Sequence, residues 1–202
     1  MRMTTMVAFL AGASGLAGCA QISLMTKAVE YMDISGELDD AEGVAVDMPE
    51  GGTADYDGVV GIGARYRDGG VMMLGDAALT ADFDAATIDG RLDDFIVAEL
   101  DGDVDIDEFL GNPIGAAFSF RTADGEIGVT GGSIAGTGFL ADFEGTVTTD
   151  DNAYYAKGEL YGDFLGANGQ LIEARADAAD MLLRRNGSGA EDVELYLAAE
   201  AD

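Results

Sequence analysis

Alternation of apolar and polar residues is the feature that most constrains this fold. In residues 53–67, Tyr56 and Ile62 occupy one set of alternate positions, and Asp55 and Asp57 occupy the other. Successive side chains of a β-strand point to opposite faces, whereas the faces of a helix repeat about every 3.6 residues. The pattern therefore predicts a strand with one buried face and one face in water, as in an antiparallel sheet.

The same alternation recurs along the chain and sets the number of strands. Further runs lie at residues 75–84, 87–93, 116–121, 139–148, 156–164, 172–177 and 192–197, with weaker patterns at 43–47 and 127–134. The chain has 30 glycines and 2 prolines, which suits many strands joined by tight turns. We predict an all-β fold, an antiparallel barrel of eight strands, or of nine or ten if the weaker patterns also form strands.

The predicted inner faces mix glycine and alanine with larger apolar residues. An eight-stranded barrel is just wide enough for side chains to fill it, so we expect a filled interior without a large cavity. The large residues predicted to point into this core are Phe83, Phe118, Phe143, Leu160 and Phe164.

The N-terminal residues differ from the rest because they have the three parts of a secretion signal. Arg2 supplies a positive charge, residues 6–16 are mostly apolar but too few to span a bilayer, and small residues precede Cys19. Residues 27–34 suit either a short helix or a first strand. We predict a signal peptide at 1–18, a lipidated N-terminus and short tether at 19–42, and a barrel domain at 43–202.

The stretch Leu16-Ala17-Gly18-Cys19 resembles the lipobox of bacterial lipoproteins. The resemblance implies that a diacylglycerol is attached to the sulfur of Cys19 and that cleavage makes this residue the N-terminus. Several acyl chains, at about 0.8 kcal/mol per buried CH₂, would anchor the protein durably. Ala20 and Gln21 follow, and the lack of aspartate there implies the outer membrane, with the domain facing the periplasm or the cell surface. Cys19 is the only cysteine, so we expect no disulfide.

Acidic residues dominate the charge of the chain. Asp and Glu number 39 against 10 Lys and Arg, for a formal net charge of −29. Nucleic acid and anionic membrane surfaces would both repel such a chain. We therefore expect no nucleic-acid partner, and we expect membrane attachment through the lipid on Cys19. The charge suits either a strongly solvated surface or a docking face for a protein partner with a basic face.

Three stretches resemble the C-terminal β-barrel domain of surface lipoproteins of the transferrin-binding protein B type. They are GTADYDG at 52–58, GDAALTADFDAATIDG at 75–90 and AKGELYGDFLGANG at 156–169. The resemblance covers residues 45–180, although Leu160 stands where the family usually has phenylalanine. It implies the barrel fold and a binding role at the outer membrane. Transferrin binding is not implied, because in two-lobed members the host-binding face lies partly in a lobe that these stretches do not match.

Few residues suit catalysis or metal binding. The chain has no histidine, and the lipid would occupy the thiol of Cys19, so the commonest general base and nucleophile are missing. Aspartates alternate from Asp101 to Asp107, but Ile106 stands where an EF-hand Ca²⁺ loop requires glycine. We interpret this segment as a solvated acidic strand. We expect no catalytic residue, no cofactor and no metal site.

Two functions fit these observations. The first is an outer-membrane, lipid-anchored binding module of the transferrin-binding protein B-like type, which presents an acidic barrel to a protein or nutrient-carrier partner. The second is a structural envelope lipoprotein without a dedicated ligand. An enzyme is not expected.

Overall fold

The computed structural model describes residues 17–41, 43–100 and 120–201. The predictions for Phe118 and for the acidic stretch Asp101–Asp107 lie outside these residues. In chain order the helix and strands are α1 (Ala17–Ala41), β1 (Thr53–Tyr66), β2 (Gly69–Asp82), β3 (Thr87–Leu100), β4 (Phe120–Thr122), β5 (Asp124–Ala135), β6 (Gly138–Thr148), β7 (Ala153–Leu165), β8 (Leu171–Asp177), β9 (Met181–Arg185), β10 (Ser188–Gly189) and β11 (Asp192–Ala201).

Eight of these strands close into an antiparallel barrel, as predicted. The order around the ring is β1-β2-β3-β5-β6-β7-β8-β11, and β11 pairs back to β1. Strand β8 completes the ring by pairing with β7 on one side and β11 on the other. Because a closed sheet has no long free edge, this arrangement protects the strands from pairing with another chain.

The three remaining strands lie outside the ring, and each pairs with a ring strand or with another of the three. Strand β4 pairs with β3 at residues 96–98, next to residues 90–92, where β3 pairs with β5. Strand β9 pairs with β7 at residues 154–158, next to residues 161–165, where β7 pairs with β8. Residues 178–180 form a turn between β8 and β9, and both strands run antiparallel to β7. Strand β10 forms a short hairpin with β9. Of the two weaker sequence patterns, 127–134 lies within β5, whereas 43–47 forms no strand.

Side chains from all eight ring strands fill the interior. Phe164 is central to an aromatic cluster, with ring centroids 5.6 Å from Phe83 and Phe139 and 5.8 Å from Tyr56. Gly162 leaves the space that the Phe139 ring occupies, because a Cβ at this glycine would lie 2.2 Å from the ring. The core is therefore packed as the mixture of small and large inner residues predicts.

Four of the five large residues predicted to point inward lie in the described part of the chain, and all four pack in or against the core. Phe143, Leu160 and Phe164 are buried in the core. Phe83 is partly buried and packs against the core from just beyond the end of β2.

Helix α1 lies on the outside of the barrel, against β1, β2, β3, β4 and β11. The open alternative at residues 27–34 is thus resolved as helix, and α1 occupies most of the predicted tether. Leu24, Ile34 and Ala41 are buried, and on the covered strands Val59 and Ile96 are buried although they do not belong to the interior cluster. The helix therefore buries a second, smaller apolar surface on the outer wall.

A buried lysine holds α1 to the barrel. Lys27 is 4% exposed, forms an ion pair with Asp76, and places its Nζ 3.1 Å from Oδ2 of Asp94. Glu30, one turn further on, has its pKa raised by partial burial and by the negative charge of Asp76, against the opposing effect of Lys27. The helix thus brings one cation to a group of carboxylates that would otherwise repel one another.

Two buried tyrosines near one end of the barrel make a matched pair for a stability experiment. The hydroxyl of Tyr154 donates to Oε1 of Glu99 at 2.6 Å, whereas the buried hydroxyl of Tyr66 has no hydrogen-bond partner among the described residues. Burial raises the pKa of Tyr66 to about 12, so its hydroxyl stays protonated at neutral pH.

We expect Tyr154→Phe to lower the free energy of unfolding by about 1.5–3 kcal/mol, because Glu99 would lose a donor at a charged acceptor. Tyr66→Phe should be neutral or slightly stabilising, because it removes an unsatisfied hydroxyl. Urea titration of both variants measures the difference. Equal losses would show that the two hydroxyls do not differ in hydrogen bonding.

Candidate docking surface

Exposed side chains form a row across the outer face of β6, β7, β8 and β11. Leu140 lies opposite Tyr161, and Tyr161 lies opposite Arg175. Arg175 in turn lies opposite Tyr196. Among the described strands, large exposed apolar side chains occur at Leu140, Tyr161, Leu182 and Tyr196, so most of them lie in this row. We call Leu140, Tyr161, Arg175 and Tyr196 the central row.

The central row borders a depression in the barrel wall. The depression has a volume of about 500 Å³, and Tyr161, Arg175 and Tyr196 line it together with Asp177 and Glu194. Tyrosine and arginine are enriched where protein interfaces carry most of their binding energy. The row therefore has the composition expected at the centre of a protein–protein contact.

Carboxylates flank the central row on both sides. They form three pairs in which two acidic residues lie directly opposite each other on neighbouring strands, Asp142–Glu159, Asp163–Glu173 and Asp177–Glu194. We call these residues the acidic rim. Like charges in this position destabilise a sheet, on the scale of about 0.2–1 kcal/mol that cross-strand pairs contribute.

The phenol of Tyr161 is sensitive to this concentration of negative charge. Its hydroxyl donates to Oε2 of Glu159 at 3.2 Å. The charges of Asp180 and Glu159 raise the pKa of Tyr161 above its ordinary value, with a smaller contribution from Asp177. Because a phenolate would be repelled by these carboxylates, the tyrosine remains a neutral hydrogen-bond donor.

Some acidic residues on the helix-covered side of the barrel are offset by basic ones. Asp76 lies opposite Asp93 beneath α1, where Lys27 pairs with Asp76. Arg91 places its Nε 2.7 Å from Oδ2 of the same Asp93. The acidic rim places six carboxylates around a central row that holds one basic residue, Arg175.

A second depression, of about 720 Å³, opens at the end of the barrel near Tyr66. The guanidinium of Arg185 lies 4.4 Å from the Tyr66 ring centroid and forms an ion pair with Asp68. Arg67 pairs with Glu191 at 3.1 Å. Because these charges neutralise one another, the depression offers less to a charged partner than the central row does.

The lipid-attachment residue predicted from the sequence lies on the helix. Cys19 falls in the first turn of α1, which begins at Ala17. No helix in the described part of the chain is long and apolar enough to cross a membrane. Within residues 17–41, 43–100 and 120–201, no group of three acidic or cysteine side chains is placed to hold a metal ion.

Sequence reasoning did not identify the central row. The alternation assigns Tyr161 and Tyr196 to the polar, outward positions of their strands, as the structure has them. The available signal was that aromatic residues occupy positions where the neighbouring strands carry charge. Their alignment into one row depends on the register between strands, which the alternation does not give.

Comparison with protein-family models finds no family that matches the chain, and comparison with curated proteins finds no relative.

Proposed function

We propose that this protein is a lipid-anchored binding module of the bacterial outer membrane, of the transferrin-binding protein B-like type. It acts by binding rather than by catalysis. Its lipid is attached at Cys19, and its barrel presents the central row and the acidic rim to a protein or nutrient carrier with a basic face. The domain faces either the periplasm or the cell surface.

The acidic rim is the observation that carries this proposal. Two of its like-charge pairs, Asp142–Glu159 and Asp163–Glu173, are expected to lower the stability of the sheet. Natural proteins keep such locally unfavourable arrangements chiefly where function requires them. A basic partner surface would reduce this repulsion, because it would bring additional cations to the carboxylates.

The central row supplies affinity that charge alone does not provide. Rim charges mainly direct encounter and exclude wrong partners, whereas buried aromatic residues and arginine provide most of the affinity. Tyr161 and Tyr196 are 42% and 44% exposed, so both have apolar surface left to bury on binding. Together the row and the rim fit a basic partner that also has an apolar centre.

The proposal is tested with two variants that each remove two negative charges from the outer face of the barrel. Asp163→Asn with Glu173→Gln neutralises one rim pair. Asp124→Asn with Glu126→Gln neutralises two exposed carboxylates of β5, which lie opposite Thr148 and Thr146 and away from the central row. Purified lipidated protein of each kind is used to retain proteins from an envelope extract at low salt, and the retained proteins are compared by mass spectrometry.

We expect the wild type and the Asp124/Glu126 variant to retain the same basic protein and to release it at high salt. The Asp163/Glu173 variant should lose that protein while becoming slightly more stable. Retention of one protein by all three forms would place the contact elsewhere. Specific retention of nothing by any form would instead favour a structural lipoprotein without a dedicated ligand.

A further inference from the structure

Helix α1 carries an apolar stripe on the side that faces away from the barrel. It consists of Ile22, Met25, Val29 and Met32, which are 68%, 54%, 57% and 69% exposed. Their spacing of three, four and three residues places them on one face of a helix. This face lies opposite the one that buries Leu24, Lys27 and Ile34, so the stripe is a surface that the barrel does not use.

We infer that the apolar stripe lies in the interfacial layer of the bilayer that holds the lipid of Cys19, and thereby fixes the orientation of the barrel. The inference rests on the lipid anchor of the proposed function. Ile22 follows Cys19 by three residues, or about 4.5 Å along the helix axis. A lipid attached at Cys19 would therefore bring the bilayer within reach of the stripe without any intervening linker.

The polarity of α1 along its length favours a bilayer over a second copy of the chain. The apolar stripe ends at Met32, and exposed Asp33, Glu37, Asp39 and Asp40 follow it. The part nearest Cys19 is thus apolar and the far part is acidic, as expected for a helix that enters a membrane surface at one end only. A dimer along α1 would bring these acidic ends together or leave the apolar ends partly uncovered.

Electrostatic attraction contributes little to this contact. Lys27 is the only basic residue of α1, and it is turned inward to Asp76 and Asp94. Amphipathic helices that bind anionic lipids usually place lysine and arginine on their polar face. The stripe should therefore insert equally well into vesicles of zwitterionic lipid, and its contact should resist high salt.

The orientation has a consequence for the acidic rim. Helix α1 lies against β11, β1, β2, β3 and β4, so it borders the central row at Tyr196, whereas the rest of the row and the rim extend away from it over β8, β7 and β6. A bilayer against the stripe would leave most of the central row turned toward the aqueous side. The acidic surface would then be kept from anionic headgroups and open to a partner.

The chain has no tryptophan, so a single introduced tryptophan reports its own surroundings. Full-length lipidated protein carrying Met25→Trp is reconstituted into phosphatidylcholine vesicles with and without brominated acyl chains, which quench tryptophan on contact. Tyr161→Trp on the barrel is the matched control, because its position is also exposed. Vesicle flotation is measured on the same samples.

We expect brominated lipid to reduce the emission of Met25→Trp several-fold, at low and at high salt, and to leave Tyr161→Trp unchanged. A protein that floats with the vesicles but shows no quenching at Met25→Trp keeps its anchor and overturns this inference alone. Unquenched but blue-shifted emission that depends on protein density would show that the stripe pairs with a second copy. A protein that does not float overturns the lipid anchor as well.

Discussion

Replacing Phe164 with alanine is expected to lower the free energy of unfolding by about 3–5 kcal/mol, because a large buried ring would leave a cavity. The ring contacts those of Tyr56, Phe83 and Phe139, which come from three other parts of the sheet. Tyr56 and Phe139 are held by ring strands and Phe83 by the turn that follows β2, so these neighbours cannot move far into the space. Guanidinium titration of the purified domain measures the loss.

The control lies on the same strand. Tyr161→Ala also removes an aromatic ring from β7, but from the exposed outer face. Exposed substitutions usually change stability by within about 0.5 kcal/mol. A similar loss in both variants would show that the interior of the barrel is not the main source of stability at Phe164.

Cys19→Ser is expected to remove the protein from the membrane fraction. The side chain of serine cannot carry the thioether-linked diacylglycerol that the lipobox resemblance implies, and no described helix is long and apolar enough to span the bilayer in its place. Cells grown with labelled fatty acid are fractionated, the membranes are washed with high salt, and both label and protein are followed. The wild type should carry the label and remain in the pellet.

Thr26→Ser serves as a control on α1, because it changes an exposed residue of the same helix and leaves the lipobox intact. It should behave as the wild type. Labelled fatty acid on the Cys19→Ser protein, or retention of that variant in the washed pellet, would contradict a lipid anchor at Cys19.

The barrel could be predicted from the sequence where each strand has one dry and one wet face. In β6 and β7 the apolar and polar residues alternate, and the predicted ranges 139–148 and 156–164 fall within the observed strands. Since the outer faces of these strands are exposed to water, the polar residues of the sequence are also the exposed residues of the fold, and the apolar residues are the buried ones.

Prediction was incomplete where α1 covers the barrel. The predicted strands at 75–84 and 87–93 capture only part of β2 and β3, which extend over Gly69–Asp82 and Thr87–Leu100. The missed portions contain Val71-Met72-Met73 and Ile96-Val97-Ala98, whose residues are buried on both faces. Alternation disappears there because α1 and Phe120 of β4 cover the outer face, which is apolar as well.

The candidate docking surface could not be predicted because it depends on the register between strands. The position of α1 could not be predicted because it depends on a tertiary ion pair. No local pattern places Lys27 next to Asp76, since 49 residues separate them in the chain. The spacing of Ile22, Met25, Val29 and Met32 was nevertheless visible in the sequence as one apolar face of a helix. It was not used because residues 19–42 were interpreted as a tether.

The binding function is tested most directly in living cells, by a photo-crosslinking residue placed in the central row of the barrel. The probe replaces Tyr161 in one strain and Asp57, on the helix-covered side of the ring, in another. We expect one discrete crosslinked product of higher mass from position 161, lost when Asp163→Asn and Glu173→Gln are added, and no such product from position 57. Equal products from both positions, or none from position 161 in a correctly anchored protein, would contradict a binding function for the acidic face.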